Sequence, residues 1–121
     1  MEKSGYIFLT AAGLNNQKVF DKFKEVIFSL KAKKAVIITT ASAGKEKNKY
    51  SQLALNQLKS INLVVDFYDF EKDGRKDLSS YDVIYVCGGN SFKLLKFAKE
   101  MNFKKEIKSI LKRGGIYFGV S

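Results

Sequence analysis

Gly119, Val120 and Ser121 form a Gly-x-Ser at the end of an apolar run, Ile116 to Val120 (IYFGV). A serine in this setting matches the first part of a Gly-x-Ser-x-Gly nucleophile elbow, in which a sharp turn after a strand lifts the hydroxyl clear of a sheet to attack a carbonyl. In the full motif the amide of the residue after the nucleophile donates to the oxyanion, whereas Ser121 is the last residue of this sequence. A second stretch, Cys87 to Ser91 (CGGNS), also follows an apolar run. Gly88 and Gly89 give the backbone conformations closed to other residues, and a helix starting near Ser91 presents unpaired amides and a positive dipole end. Such a turn can hold an oxyanion or a phosphate. It can equally be a tight strand-to-helix connection capped by Asn90 or Ser91.

A serine hydroxyl is a weak nucleophile until a base takes its proton. The sequence contains no histidine, so a Ser-His-Asp/Glu triad cannot be assembled from these 121 residues. Cys87, the lone cysteine, precedes the glycines and is not at an elbow; a cysteine closing a strand reads as a small hydrophobe. Asp66, Asp69 and Asp73 lack the spacing of a calcium loop and have no histidine beside them, so neither a metal nor a cofactor is expected.

These stretches need a scaffold that brings them together. Short β-branched runs at Tyr6–Thr10, Ala35–Thr40, Leu63–Phe67, Val83–Cys87 and Ile116–Val120 predict five strands. Val19, Phe20, Phe23, Val26, Ile27 and Leu30 fall on one face of a helix. A second helix carries Tyr50, Leu53, Ala54 and Leu58. A third begins after Asn90 with Phe92, Leu95 and Ala98 inward, and a fourth carries Phe103, Ile107, Ile110 and Leu111 up to a Gly114 cap. The polar stretch Asp69–Ser80, with its Asp73-Gly74 turn signal, reads as a solvated loop.

The order βαβαββααβ requires crossover connections, which favours one α/β domain over residues 1–121 with a mainly parallel sheet and helices on both faces. In such a sheet ligands bind beyond the carboxyl ends of the strands. Thr10, Thr40, Cys87 and Val120 should therefore share one edge, with Gly89 and Ser121 close together.

Composition narrows the class. At 45% hydrophobic and 28% charged residues the chain reads as a globular domain. Its net charge of +10 raises nucleic acid as a partner, but Arg75 and Arg113 are the two arginines and the lysines are scattered over helical polar faces without interleaved aromatics, so no nucleic-acid partner is expected. The opening run MEKSGYIFLT is too short for a signal h-region with its cleavage site, or for a span, so a cytoplasmic location without a membrane partner is expected.

CGGNSFKLL followed by GGIYFGVS, with TTAS closing the second strand and YDVIYV leading into the glycines, resembles the peptidase E family of serine peptidases, which includes aspartyl dipeptidases and is related to cyanophycinases. The resemblance spans the whole sequence. It implies a flavodoxin-like or class I glutamine amidotransferase-like fold, Ser121 as nucleophile, Gly89 with Gly88 beside it as the oxyanion loop, and short peptides as substrates, those with N-terminal aspartate among them. Asn90 and Ser91 are weaker substrate-binding candidates. In the family the histidine and the acid follow the nucleophile. The resemblance therefore implies the N-terminal part of such a domain, inactive alone, with apolar surface that promotes self-association. A non-catalytic α/β binding module with an anion site at the CGGNS turn stays open beside it. Aspartate recognition would need a cationic pocket residue, and the sequence places neither Arg75 nor Arg113 there.

Overall fold

Why the short apolar runs become strands and the longer periodic ones helices is settled by burial. The structure, a computed structural model, describes residues 4–121. Five strands, β1 (Tyr6–Thr10), β2 (Lys34–Ile38), β3 (Val64–Tyr68), β4 (Val83–Val86) and β5 (Ile116–Val120), form one sheet. Its order is β1-β5-β4-β2-β3, and every pairing is parallel. The central β2 and β4 are almost wholly buried, as strands covered on both faces must be. The edge strands are not: Ile7 and Leu9 of β1 and Val64 of β3 are exposed.

Two helical layers sandwich the sheet. Helices α1 (Gln17–Leu30) and α2 (Lys49–Lys59) cover one face, where Phe23, Ile27, Ala54 and Leu58 pack on Ile37, Tyr85 and Phe118. Helices α3 (Phe70–Asp73), α4 (Ser91–Glu100) and α5 (Phe103–Lys112) cover the other, with Phe70, Phe103 and Ile110 against Ile38, Ile84 and Val86. Asn16, Asn48, Asp69 and Asn90 cap α1 to α4 through their side chains, which satisfies amides that a helix start leaves unpaired. Gly114, at φ 86°, takes the left-handed turn after α5, and its amide and that of Gly115 close on Leu111 and Ile110.

The order β3-β2-β4-β5 follows the flavodoxin-like sequence of crossovers, with β1 filling the outer place beside β5. Connections leave β2 and β4 in opposite directions, so a crevice opens between the carboxyl ends of these two strands.

Three expectations are corrected. The Asp69–Ser80 stretch contains the one-turn α3, and it is not a solvated loop throughout: Phe70 and Leu78 enter the core, while buried Asp69 pairs with Lys45 at 3.3 Å. Helix α4 turns Leu94, Phe97 and Ala98 inward and leaves Phe92 and Leu95 87% and 63% exposed. Apolar residues at 92, 94, 95, 97 and 98 cover more than one face, and the side that carries Leu94, Phe97 and Ala98 is the one that packs on the core. In α2, Ser51, Ala54 and Leu58 pack inward, while Tyr50 and Leu53 are exposed on its flank.

Candidate active site

At the crevice, two loops are drawn against each other. The Asn90 amide donates to the Ala41 carbonyl at 2.8 Å, and Ser42 Oγ–H donates to the Gly88 carbonyl at 3.1 Å. This contact demands glycine. Gly89 sits at φ 141°, and a Cβ there would overlap the Ala41 carbonyl oxygen and lie 2.8 Å from its carbon. Because the 88–89 peptide is planar and trans and Ser42 holds its carbonyl, the Gly89 N–H points in the opposite direction, away from Ser42. That N–H has no acceptor among the described residues.

Strand β5 delivers Ser121 to the same place. The Ser121 amide donates to the Thr10 carbonyl at 2.9 Å, continuing the β1–β5 ladder one step. A Cβ on Gly88 would lie 2.9 Å from the Ser121 carbonyl oxygen and 3.0 Å from that of Val120. The backbones of the two glycine stretches thus touch. Thr10, by accepting from the Gly13 amide at 2.8 Å through Oγ1, tightens the turn after β1 beside them.

Together these turns border a cleft of about 580 Å³, a size that suits a small ligand. Gly88, Gly89, Val120 and Ser121 line it, together with Tyr50, Leu53 and Gln57 of α2. Tyr85 and Cys87 line it from the sheet. Burial pushes the Tyr85 hydroxyl above its ordinary value, and it lies so close to Gly13 that a Cβ there would be 2.5 Å away. Burial also raises the Cys87 thiol, against the smaller pull of hydrogen bonds from Ser51 and Ser42. A protonated, buried thiol 3.8 Å from Ser51 Oγ is a poor nucleophile.

The structure brings Ser121, Gly88 and Gly89 to one cleft. Asn90 and Ser91 do not line it: the Asn90 side chain accepts from the Lys93 amide at 3.0 Å as the α4 cap, and Ser91 opens that helix on the exposed side. Ser42, Tyr50 and Leu53 were missed as site residues. TTAS directly after a strand was a signal for Ser42, while nothing in the helical periodicity of α2 showed which flank meets the cleft. Arg75 lines a separate cavity beside α3 and α5, and Arg113 donates from Nη2 to the Tyr81 carbonyl. The aspartates are used locally: Asp66 accepts from the Tyr81 hydroxyl at 2.6 Å, Asp69 caps α3, and Asp73 accepts from the Asp69 amide at 2.9 Å. No helix among the described residues is long and apolar enough to cross a membrane.

An open parallel sheet with a glycine turn at its switch point and a serine at the end of the neighbouring strand defines an α/β protein with a ligand cleft at the carboxyl edge. Residues 7–121 match peptidase family S51, and the chain belongs to that family. It is 29% identical over 119 residues to an uncharacterized peptidase of Listeria monocytogenes, covering 95% of this chain and 57% of that protein. It is 31% identical over 91 residues to peptidase E of Actinobacillus pleuropneumoniae, covering 75% of this chain and 39% of that one. A crystal structure from Listeria monocytogenes, assigned by its name to peptidase E, superposes on the whole chain and 59% of its own length with a TM-score of 0.73 at 29% identity. A peptidase from an acI-B1 Actinobacterium shares the fold at 19% identity, again with a TM-score of 0.73, over 55% of its length. The chain therefore spans about half the length of these relatives.

Proposed function

We propose that this chain carries the nucleophile and the oxyanion loop of a serine peptidase that cleaves short peptides. The observation that carries the reading is the meeting of Ser121 with the Gly88–Gly89 turn at the cleft, where Gly89 presents an amide with no acceptor among the described residues. Membership of peptidase family S51 supports the class of reaction.

In this mechanism Ser121 Oγ attacks the carbonyl carbon of the peptide, and the carbonyl oxygen, now negative, accepts from the Gly89 N–H. Ser42 fixes the orientation of that donor through its bond to the Gly88 carbonyl. Preorganised donors of this kind lower the barrier by about 3 to 4 kcal/mol each in a serine protease. The tetrahedral intermediate collapses, the amine leaves with a proton, and water releases the acyl group from Ser121. The base that takes the serine proton, and the acid that orients it, come in this reading from sequence beyond the 121 residues, since these hold no histidine. The 121-residue chain alone is then inactive, and the natural setting is the cytoplasm.

The test is to read the gene past the Ser121 codon and assay its product on a dipeptide panel that includes N-terminal aspartate. Continuation with a small residue and glycine, followed by acidic residues and a histidine, with hydrolysis lost in Ser121→Ala, is the expected result. A stop codon at that point with no hydrolysis would favour instead a binding module that uses the same glycine turn to hold an anion. Hydrolysis that persists in Ser121→Ala would place the chemistry elsewhere.

A further inference from the structure

After β2 the chain doubles back on one lysine. Gly44 and Lys45 both take left-handed backbone, at φ 76° and 54°, a region that residues with a Cβ avoid. The reversal returns the Lys45 side chain to the strand end it has just left. Its Nζ donates to the Thr40 carbonyl at 2.9 Å and to Asp69 Oδ1 at 3.3 Å, and lies 3.2 Å from Glu71 Oε1. Three acceptors thus meet the three protons of one ammonium. With its protons engaged inside the protein, Lys45 is placed to hold a loop and not to bind an anion.

Thr40 is gripped from two sides. Its carbonyl accepts from Lys45, and its Oγ1 accepts from the Phe70 amide at 2.9 Å, where α3 begins. The next two residues make the contacts that set the glycine turn. Ala41 accepts from the Asn90 amide through its carbonyl, and Ser42 donates to the Gly88 carbonyl through its hydroxyl. Short-range bonds stiffen the backbone in between: the Ser42 amide donates to the Thr39 carbonyl at 2.9 Å, and the Lys45 amide to the Ser42 carbonyl at 3.2 Å. Glu71 carries the tie on to α4, accepting from Lys93 Nζ at 2.7 Å, three residues beyond Asn90. Ion pairs this open to solvent add little stability, but they fix a distance.

We propose that Lys45 is a positioning residue: its ammonium fixes Thr40 and, through Ala41 and Ser42, holds the Gly88–Gly89 turn in its orientation. The holding of the turn stands on geometry alone; its effect on turnover rests on the reading of Gly89 as the oxyanion donor. Without the ammonium the Thr40 carbonyl loses that donor, and the 40–42 loop can part from the 88–90 turn while helices and sheet stay folded.

The test uses the full gene product. Lys45→Met alone would leave the buried Asp69 carboxylate unpaired. It is therefore combined with Asp69→Asn, whose amide oxygen can keep the cap on the Glu71 amide, and the double variant is compared with Asp69→Asn. Amide hydrogen exchange followed by NMR reads the Asn90 to Ala41 bond. Relative to the amides of α1 in the same protein, Asn90 is expected to exchange at least about ten-fold faster in the double variant than in Asp69→Asn. On the dipeptide panel kcat is expected to fall about ten-fold or more, with KM moving by no more than about two-fold. Asn90 exchange that rises only in step with α1 reports general destabilisation and overturns the proposal. Faster Asn90 exchange with kcat unchanged overturns the link to turnover. If the wild type hydrolyses none of the peptides, the peptidase reading fails, and the ratio of Asn90 to α1 exchange still decides whether Lys45 holds the turn.

Discussion

Replacing Gly89 with alanine should damage the fold more than any other single methyl added at a left-handed glycine. Two effects add. Position 89 sits at φ 141°, where a side chain costs about 1 to 3 kcal/mol. The new Cβ would also collide with the Ala41 carbonyl and come within 3.3 Å of Ser42 Cα. Backbone, unlike a flexible side chain, cannot swing away, so relief means parting the two loops and losing the Asn90 to Ala41 hydrogen bond. That bond is worth about 1 kcal/mol, and the expected total is about 3 kcal/mol. Gly44 provides the control, because it is left-handed at φ 76° and a Cβ built there meets only Asn48 backbone atoms, at 3.7 and 4.0 Å; Gly44→Ala should cost about 1 kcal/mol, from conformation alone. Urea unfolding followed by far-UV circular dichroism should place the Gly89→Ala midpoint about 1 M or more below that of Gly44→Ala. Equal midpoints would refute the close approach of the 41–42 and 88–89 loops on which the site geometry depends.

Three further outcomes are expected. Ser42→Ala releases the Gly88 carbonyl and should cost about 1 kcal/mol of stability; in the full gene product it should lower kcat about ten-fold or more with KM little changed, because the Gly89 donor loses its fixed direction. Glu71 accepts from Lys93 at 2.7 Å and from Lys45 at 3.2 Å, which holds its carboxyl below the ordinary range, Lys93 having the larger influence. Its stabilisation is therefore present above the unfolded value and lost as pH falls through the folded one, so the gap in urea midpoint between wild type and Glu71→Gln should be constant near neutrality and close at acid pH. Ile7 and Leu9 lie exposed on β1, whose outer edge has no partner strand among the described residues; the 121-residue chain should show concentration-dependent association in sedimentation, and Leu9→Lys should reduce it.

Much of the scaffold was legible because strands and long helices announce themselves by period. The runs at Tyr6–Thr10 and Ile116–Val120 match β1 and β5 end to end, and the stripe from Val19 to Leu30 is the inner face of α1. The juxtaposition of the two glycine stretches followed from topology, since adjacent parallel strands carry their ends to one edge. What failed is what depends on rotation and on single polar contacts. Helix α4 has apolar residues on more than one side, so its inward face is chosen by tertiary packing on the sheet and not by period. Asp69, which caps α3, is buried against Lys45, a pairing between residues 24 apart in sequence. Tyr50 and Leu53 looked like core by spacing, and became cleft wall because α2 packs through the neighbouring stripe.

The central claim, that Ser121 is the attacking group, is tested most directly by trapping the acyl-enzyme. The full gene product is mixed with an activated ester of a short peptide, quenched in acid during turnover, digested and examined by mass spectrometry. The account predicts the acyl group on the Ser121 hydroxyl, no adduct in a folded Ser121→Ala variant, and loss of turnover in that variant by at least about a thousand-fold. Turnover with the acyl group on another residue, or at an undiminished rate in Ser121→Ala, would contradict it.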